Sequence, residues 1–265
     1  MALSVIPIIV QRQKPGFDLY QDIEKSLKGT PLENGDILVI SSKYIANSQD
    51  RLLVLERIQP STIAEELAVK YQLGAKLSEI ILRESDFIFG GVAGFVLASS
   101  DNILAPNAGI DKSNTKKGTV ILYPDNPYQI SEHIRRKIFL SCGKNVGIII
   151  VDSRLMPTRT GTSGIAIACA GLEPVHDLRG EKDLDGNPLK VTMQATADNL
   201  ATIANYKMGE GSDSTPIAII RNSGAKITGR KIYPNETTIP SEMCVYVRGF
   251  KNQHEVGKKP TRSFK

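Results

Sequence analysis

Residues 146–171 read VGIIIVDSRLMPTRTGTSGIAIACAG, and the organisation of the whole chain turns on how they fold. The run Val146 to Val151, preceded by Lys144 and Asn145, has the length and β-branched content of a fully buried strand. It is expected to end at Asp152-Ser153. A polar loop carrying Arg154, Thr158, Arg159, Thr160, Gly161 and Thr162 follows, then a second apolar run, Gly164 to Ala170. Proteins of mixed α/β architecture seat ligands where buried strands end. Carboxylate and hydroxyl oxygens suit Mg²⁺ or Mn²⁺, and arginines suit phosphate. The competing reading is a plain strand-to-strand connection with a solvated loop, which Asp, Ser and Gly favour for conformational reasons alone.

The remainder of the 265 residues is ordinary globular material, 41% apolar and 23% charged. The N-terminus, MALSVIPIIV, has no basic segment ahead of its apolar run, and no stretch approaches the roughly 20 apolar residues of a membrane span. A cytoplasmic protein without membrane or nucleic-acid partners is the expectation. Cys142, Cys169 and Cys244 are isolated, with no C-x-x-C and no His at ligand spacing, which argues against zinc. Cys169, inside an apolar run, is expected to be buried and inert. The formal charge of +5 is concentrated at the end: Lys251, Lys258, Lys259, Arg262 and Lys265 face only Glu255, leaving about +1 for the other 250 residues. Residues 1–250 are therefore read as one unit, a single body or two lobes, and residues 251–265 as a mobile basic tail.

Along the chain, Leu3 to Val10 is β-like, with Pro7 pointing to an edge. Phe17 to Leu27 is helical, Asp36 to Ser41 is a buried strand opening into Ser42-Lys43, and Leu52 to Leu55 is a short strand. Thr62 and Glu65 have capping-box spacing for a helix to Tyr71, and a second helix carries Leu77, Ile80 and Ile81. Asp86 to Ser99 reads as paired strands with a turn at Gly90-Gly91. Asp101 to Asn114 reads as loop, Thr119 to Tyr123 as strand, and Pro127 to Cys142 as a helix stopped by Gly143. After the polar stretch His176 to Pro188 come a helix, Asp198 to Met208, and strands at Pro216 to Ile220 and Met243 to Val247. Strands and helices mix without strict alternation, so the fold class is α+β (mixed α/β), with mixed sheets and flanking helices. No G-x-x-x-x-G-K-[ST] occurs, which excludes a P-loop nucleotidase.

Three acidic loops lie next to small residues that let a ligand approach closely: 108–114 with Asp111, Asp152-Ser153, and Gly209-Glu210-Gly211. Glycines around Glu210 free backbone amides to meet phosphate oxygens, and Lys43, Arg154 and Arg159 can neutralise phosphate charge. Carboxylates combined with cations in this way are the usual equipment of metal-assisted phosphoryl transfer. Each loop taken singly is also an ordinary turn.

Four segments carry a resemblance to a known family: GDILVISSKYIANSQDR (Gly35 to Arg51), NAGIDKSN (Asn107 to Asn114), IIVDS (Ile149 to Ser153) and a frame from Arg179 to Gly211 that ends in MGEG. Together they resemble coenzyme F420-0:L-glutamate ligase, over roughly Val5 to Arg221. The resemblance implies a GTP-dependent amide ligase with that family's fold, forming an intertwined homodimer. Its members add L-glutamate to the carboxylate of F420-0, then extend by γ-linkage, through an acyl phosphate made with GTP. It implies Asp111 and Asp152 as ligands of one Mg²⁺ or Mn²⁺, and Ser153 and Glu210 as ligands of a second. It further implies nucleotide contacts from Ser42, Lys43, Asn114, Gln11, Arg12, Gln13, Lys14, Met208, Gly209, Gly211, Ser212 and Asp213. Asp152, Arg154 and Arg159 would take part in the chemistry.

The chain departs from the family pattern twice. Asn47-Ser48-Gln49-Asp50-Arg51 stands where a Lys followed by A-E-G-R is usual. Residues 154–160, RLMPTRT, stand where a Gly-Arg pair and consecutive arginines are usual. The second departure falls on the loop expected to face the acceptor. It keeps open a ligase with another carboxylate acceptor, and the first departure keeps open a non-catalytic nucleotide-binding homologue.

Overall fold

The protein is described here by a computed structural model covering residues 2–101 and 103–251. Of the expected tail, residues 251–265, Lys251 ends a helix and residues 252–265 lie outside the described residues. In chain order the elements are β1 (Ser4–Ile8), α1 (Leu19–Ser26), β2 (Ile37–Ser41), α2 (Ser42–Ser48), β3 (Leu52–Val54), α3 (Thr62–Tyr71), α4 (Ala75–Glu84), β4 (Phe87–Val92), β5 (Phe95–Ser100) and β6 (Ile103–Pro106). They continue with β7 (Thr119–Ile121), α5 (Pro127–Cys142), β8 (Gly147–Leu155), β9 (Thr162–Ala170), β10 (His176–Asp177), β11 (Met193–Gln194), α6 (Thr196–Met208), β12 (Ile217–Arg221) and α7 (Val245–Lys251).

The apolar run that opens the deciding stretch is β8, in a five-stranded sheet of order β1-β12-β2-β8-β9. The β2–β8 pair is parallel and every other pair is antiparallel. Both β2 and β8 bury both faces, which is why each reads as a continuous apolar run and not as an alternating one. Leu38, Ile40, Ile148 and Ile150 point into one core with Ile23 of α1, Ile45 of α2 and Ile134 and Ile138 of α5. Ile37, Val39, Ile149 and Val151 point the other way, onto Ala197, Leu200, Ala201, Ala204 and Met208 of α6. Each of these branched side chains is worth about 1.5–3 kcal/mol when fully buried, so the register of the central pair is strongly specified. Pro7 sits on β1, the edge strand, the place in a sheet where a proline is tolerated.

A second layer of structure holds the loop that carries Asp111. Ile80 and Ile81 of α4, Val96 and Ala98 of β5, and Ala108, Ile110, Val120 and Leu122 form a separate core. The strands β4-β5-β6 make one small sheet, and β3 and β7 make another. Asp111 is tied to β7 through reciprocal backbone bonds with Ile121, 3.0 and 2.9 Å. Among the described residues no helix is long and apolar enough to cross a membrane.

Several sequence expectations are corrected. β8 does not end at Asp152-Ser153; it runs to Leu155, because β9 keeps pairing with it, Val151 with Ala166 through Leu155 with Thr162. The expected polar loop shrinks to the hairpin connection 156–161, and Arg154 lies on the strand. Ser42-Lys43, into which β2 opens, is the start of α2. The cap of α3 is Ser61, whose hydroxyl accepts from the Ala64 amide, and not Thr62. The turn of the β4–β5 hairpin falls at Ala93-Gly94; Gly90-Gly91 lie inside β4, at a register shift. Residues 103–106 of the expected loop are a strand. Residues 243–247 are not a strand but the junction between a 3₁₀ turn, Ser241–Met243, and α7. The alternation Met-Cys-Val-Tyr-Val suggested extended structure, but among the described residues it pairs with no strand, and its side chains at 243, 245 and 246 are exposed.

Candidate functional site

The site forms where the parallel pair ends. Ser41, the last residue of β2, pairs with Val151, so Asp152 is the first residue of β8 that projects beyond β2. A β-bulge between Ile150 and Val151 lies immediately before it, a device that commonly re-aims side chains beside functional sites. Into the space past β2 comes the first turn of α2. The Ser42 hydroxyl donates to Asp152 Oδ1 at 2.7 Å, and the Tyr123 hydroxyl donates to Oδ2 at 2.6 Å. Tyr123 in turn accepts from Arg154 Nη2 at 2.9 Å, and Arg154 Nη1 donates to the Leu104 carbonyl at 2.6 Å. Burial, followed by the charge of Asp152, pushes the Tyr123 phenol well above its ordinary pKa, so it remains a donor at neutral pH.

Lys43, one residue further along α2, bridges to the second acidic loop. Its ammonium lies 2.5 Å from Asp111 Oδ2 and 2.6 Å from Ser113 Oγ. Burial alone would raise the Asp111 pKa. The hydrogen bond from Lys43, with those from the amide and hydroxyl of Ser113, outweighs it and holds the carboxyl below its usual range. The ion pair is too exposed to contribute more than about 1 kcal/mol to stability; its consequence is positional. The loop itself is built on unusual backbone: Asn107, Ala108 and Gly109 are consecutively left-handed, a costly conformation for Ala that persists only where the surroundings impose it. Asn107 Oδ1 accepts from the Val96 amide at 3.0 Å. Gly109 is required by more than its φ of +72°, since a Cβ there would lie 2.2 Å from Cζ of Tyr123. The ring that holds Asp152 therefore rests directly on the loop that carries Asp111.

The third loop joins through Asn114, whose Nδ2 reaches the Gly211 carbonyl at 3.4 Å, and whose own carbonyl accepts from Arg12 Nη2 at 3.0 Å. The strand-like segment before Arg12 is held to the same loop by Val10 N–H donating to the Ser214 carbonyl at 2.8 Å. Glu210 follows the C-terminus of α6, accepting from Asn205 Nδ2 at 2.8 Å and lying 3.4 Å from Thr162 Oγ1 of β9. Ser153 pairs with Gly164, whose Cα packs against Asn205 and Ala201 of α6. The pairing thus puts Ser153 on the α6 side, with Glu210, and Asp152 on the opposite side, with Asp111.

Not every residue singled out in the sequence faces this space. Gln13 donates to Asp22, 2.9 Å away. Met208 is core, and its carbonyl accepts from Thr215. Asp213 folds back against Gly209. Arg154 is 6% exposed and engaged internally, whereas Arg159 is exposed on the hairpin connection. Gln11, Lys14 and Ser212 are exposed. Cys169 is buried, which lifts its thiol to about 12, as an inert core cysteine requires. Tyr123 went unnoticed in the sequence, since a tyrosine ending a short strand carries no distinguishing local signal.

Among the described residues no three His, Cys, Asp or Glu side chains gather as a ready cation cage. The residues that the resemblance implies as metal ligands are Asp111, Asp152, Ser153 and Glu210. All are hard oxygens, the set Mg²⁺ and Mn²⁺ prefer. The Lys43 ammonium against Asp111 marks a place where a positive charge is already accommodated. The donor chemistry fits a divalent cation that completes its coordination with substrate and water.

Comparison with known proteins is consistent over most of the chain. The family model described as F420-0:Gamma-glutamyl ligase matches residues 7–222. A protein named coenzyme F420:L-glutamate ligase from Methanocaldococcus jannaschii is 40% identical over 194 residues, 73% of this chain and 78% of that one. Proteins of the same name from Methanopyrus kandleri and Archaeoglobus fulgidus are each 34% identical, over 221 and 236 residues. These alignments cover 83% and 88% of this chain, and 86% and 93% of theirs.

Proposed function

Because this chain belongs to the F420-0:gamma-glutamyl ligase family, we propose that it joins L-glutamate to the carboxylate of coenzyme F420-0, and then extends the product by γ-linkage, using GTP. The observation that carries this reading is the meeting of three acidic loops and the 10–14 segment around the first turn of α2. Ser42 holds Asp152, Lys43 holds Asp111, Asn114 reaches Gly211, and Arg12 reaches Asn114.

A carboxylate is a poor electrophile, and transferring the γ-phosphoryl group of GTP to it makes one of its oxygens a leaving group. The glutamate amine then attacks the acyl carbon and phosphate departs. The protein must hold two anions beside a triphosphate, so fixed positive charge and fixed dipoles matter most. Lys43 and Arg12 supply charge near the nucleotide, with the amides of Gly209 to Asp213 as phosphate donors. Arg159, exposed at the hairpin, supplies charge near the acceptor. Asp111 with Asp152, and Ser153 with Glu210, would hold Mg²⁺ or Mn²⁺, which when bound neutralises phosphate charge and polarises the transferring group. Tyr123, braced by Arg154, and Ser42 keep Asp152 aimed. The family's intertwined homodimer is part of the same proposal.

Purified protein given GTP, Mn²⁺ or Mg²⁺, F420-0 and L-glutamate should release GDP and phosphate, and form glutamylated product, only when every component is present. Absence of glutamylated product from folded protein under those conditions refutes the assignment. A second reading keeps the chemistry and changes the acceptor. It is favoured by Met156, 40% exposed on the hairpin connection, which offers an apolar contact where the family pattern has a cation. Acceptor-dependent GTP hydrolysis across a set of carboxylic acids separates the two.

A further inference from the structure

Behind Asp152, on the side of β9, lies a cavity of about 200 Å³. That is room for several waters or for a small zwitterion. Its walls come from β5, β6, β8, β9, the start of α6 and the segment 237–244, with Ser99, Arg154, Asp198, Thr237, Thr238 and Ser241 as its polar members. It abuts the reaction site directly, since Ile165 in its wall is the cross-strand partner of Asp152.

Two features mark it as a binding site and not a packing defect. Arg154 uses its two terminal nitrogens on the Leu104 carbonyl and Tyr123, but its Nε is buried without a hydrogen-bond partner. Only Ser78 Oγ shares that condition among the described residues. The nearest acid to that Nε is Asp152, at 3.8 Å, beyond hydrogen-bonding reach. A buried guanidinium N–H left open is costly, and a ligand acceptor relieves it. Opposite charge is also present: Asp198 accepts from the Ala166 amide through Oδ1, at 3.0 Å, leaving Oδ2 for another donor. Burial raises the Asp198 carboxyl above its ordinary range, a state that a cationic partner reverses.

We infer that this cavity seats the incoming α-amino acid, with a carboxylate on Arg154 Nε and the ammonium on Asp198. The inference rests on the ligase reading and deepens it by giving the amine substrate a place separate from the nucleotide. Thr237 and Thr238 donate their hydroxyl protons to the Pro234 carbonyl, at 3.2 and 3.0 Å, so their oxygens line the cavity as acceptors for the ammonium. Thr237 is itself fixed by Tyr128, whose hydroxyl lies 2.5 Å from its Oγ1. Arg154 then serves two anions, Asp152 on one side and the amino acid on the other, which couples filling of the cavity to the geometry of Asp152.

The test combines steady-state kinetics, with L-glutamate as the varied substrate, and equilibrium dialysis of radiolabelled L-glutamate with the full-length protein and Mn²⁺. Asp198→Asn should raise the KM for glutamate at least about tenfold, the scale of one charged hydrogen bond, with the KM for GTP changed less than about twofold. Ile239→Trp, at a wall residue 57% exposed and so a mild risk to folding, should do the same by filling the space. If wild type ligates and both folded variants keep its glutamate KM, the cavity assignment is wrong and the ligase reading stands. If wild type forms no product, the ligase reading fails and dialysis decides the cavity. Saturable glutamate binding lost in Ile239→Trp supports the inference; no binding, or binding indifferent to both variants, overturns it.

Discussion

Replacing Tyr123 by Phe removes one oxygen and leaves the ring on Gly109 in place. The hydroxyl donates to Asp152 Oδ2 at 2.6 Å and accepts from Arg154 Nη2 at 2.9 Å. Both partners are charged, and hydrogen bonds to charged groups are worth about 1.5–3 kcal/mol each. The two losses do not add in full, because Arg154 Nε already stands 3.8 Å from Asp152 Oδ2 and a small movement lets the pair close. A net destabilisation of about 1.5–3 kcal/mol follows, or about 3–12 °C in Tm for a chain of this size. Function should suffer in a particular way. Asp152 keeps Ser42 but loses its second anchor, so turnover should fall about tenfold or more while the KM for GTP changes little. Thermal denaturation and steady-state kinetics on the same preparation read both. A folded variant with unchanged Tm and unchanged turnover would refute the claim that Tyr123 positions Asp152.

Further consequences follow from the same geometry. Gly109→Ala combines a left-handed backbone with a Cβ driven into the Tyr123 ring, and should cost about 2–4 kcal/mol in urea unfolding with nucleotide affinity reduced. Lys43→Met removes the bond that depresses the Asp111 pKa. A depressed carboxylate stabilises the fold above its unfolded pKa of about 3.9, so the stability gap between wild type and variant should be present near pH 6 and close as the pH falls below about 4, as urea titrations at several pH values would reveal. Removing residues 252–265 should leave the glutamylation rate within about twofold, whereas a polyanion-binding role for the basic end would predict loss of binding.

How much of this was legible beforehand depended on whether a residue's role is local. The buried strands at 37–41 and 147–151, and the helix from Pro127 to its stop at Gly143, follow from apolar runs and capping signals that act over a few residues. The acidic loops were visible because Asp, Asn and Gly cluster there, and their meeting was implied by family likeness. What local reasoning missed depends on partners distant in sequence. β8 runs on through Asp152 and Arg154 only because Thr162 to Ala166 lies alongside. Residues 243–247 alternate like a strand but meet no sheet among the described residues. Arg154 looked like a loop cation and is instead a buried brace, because Leu104 and Tyr123 wait for its nitrogens. Tyr123 itself becomes informative only when the ring is seen between Gly109 and Asp152.

The central claim is that three acidic loops form one nucleotide and metal site, and a crystal structure of the protein with GDP and Mn²⁺ addresses it most directly. The account predicts anomalous Mn²⁺ peaks coordinated by Asp111 and Asp152 and by Ser153 and Glu210, with the GDP phosphates against Lys43 and the 209–213 amides. Mn²⁺ bound away from Asp111, Asp152 and Glu210 would contradict it.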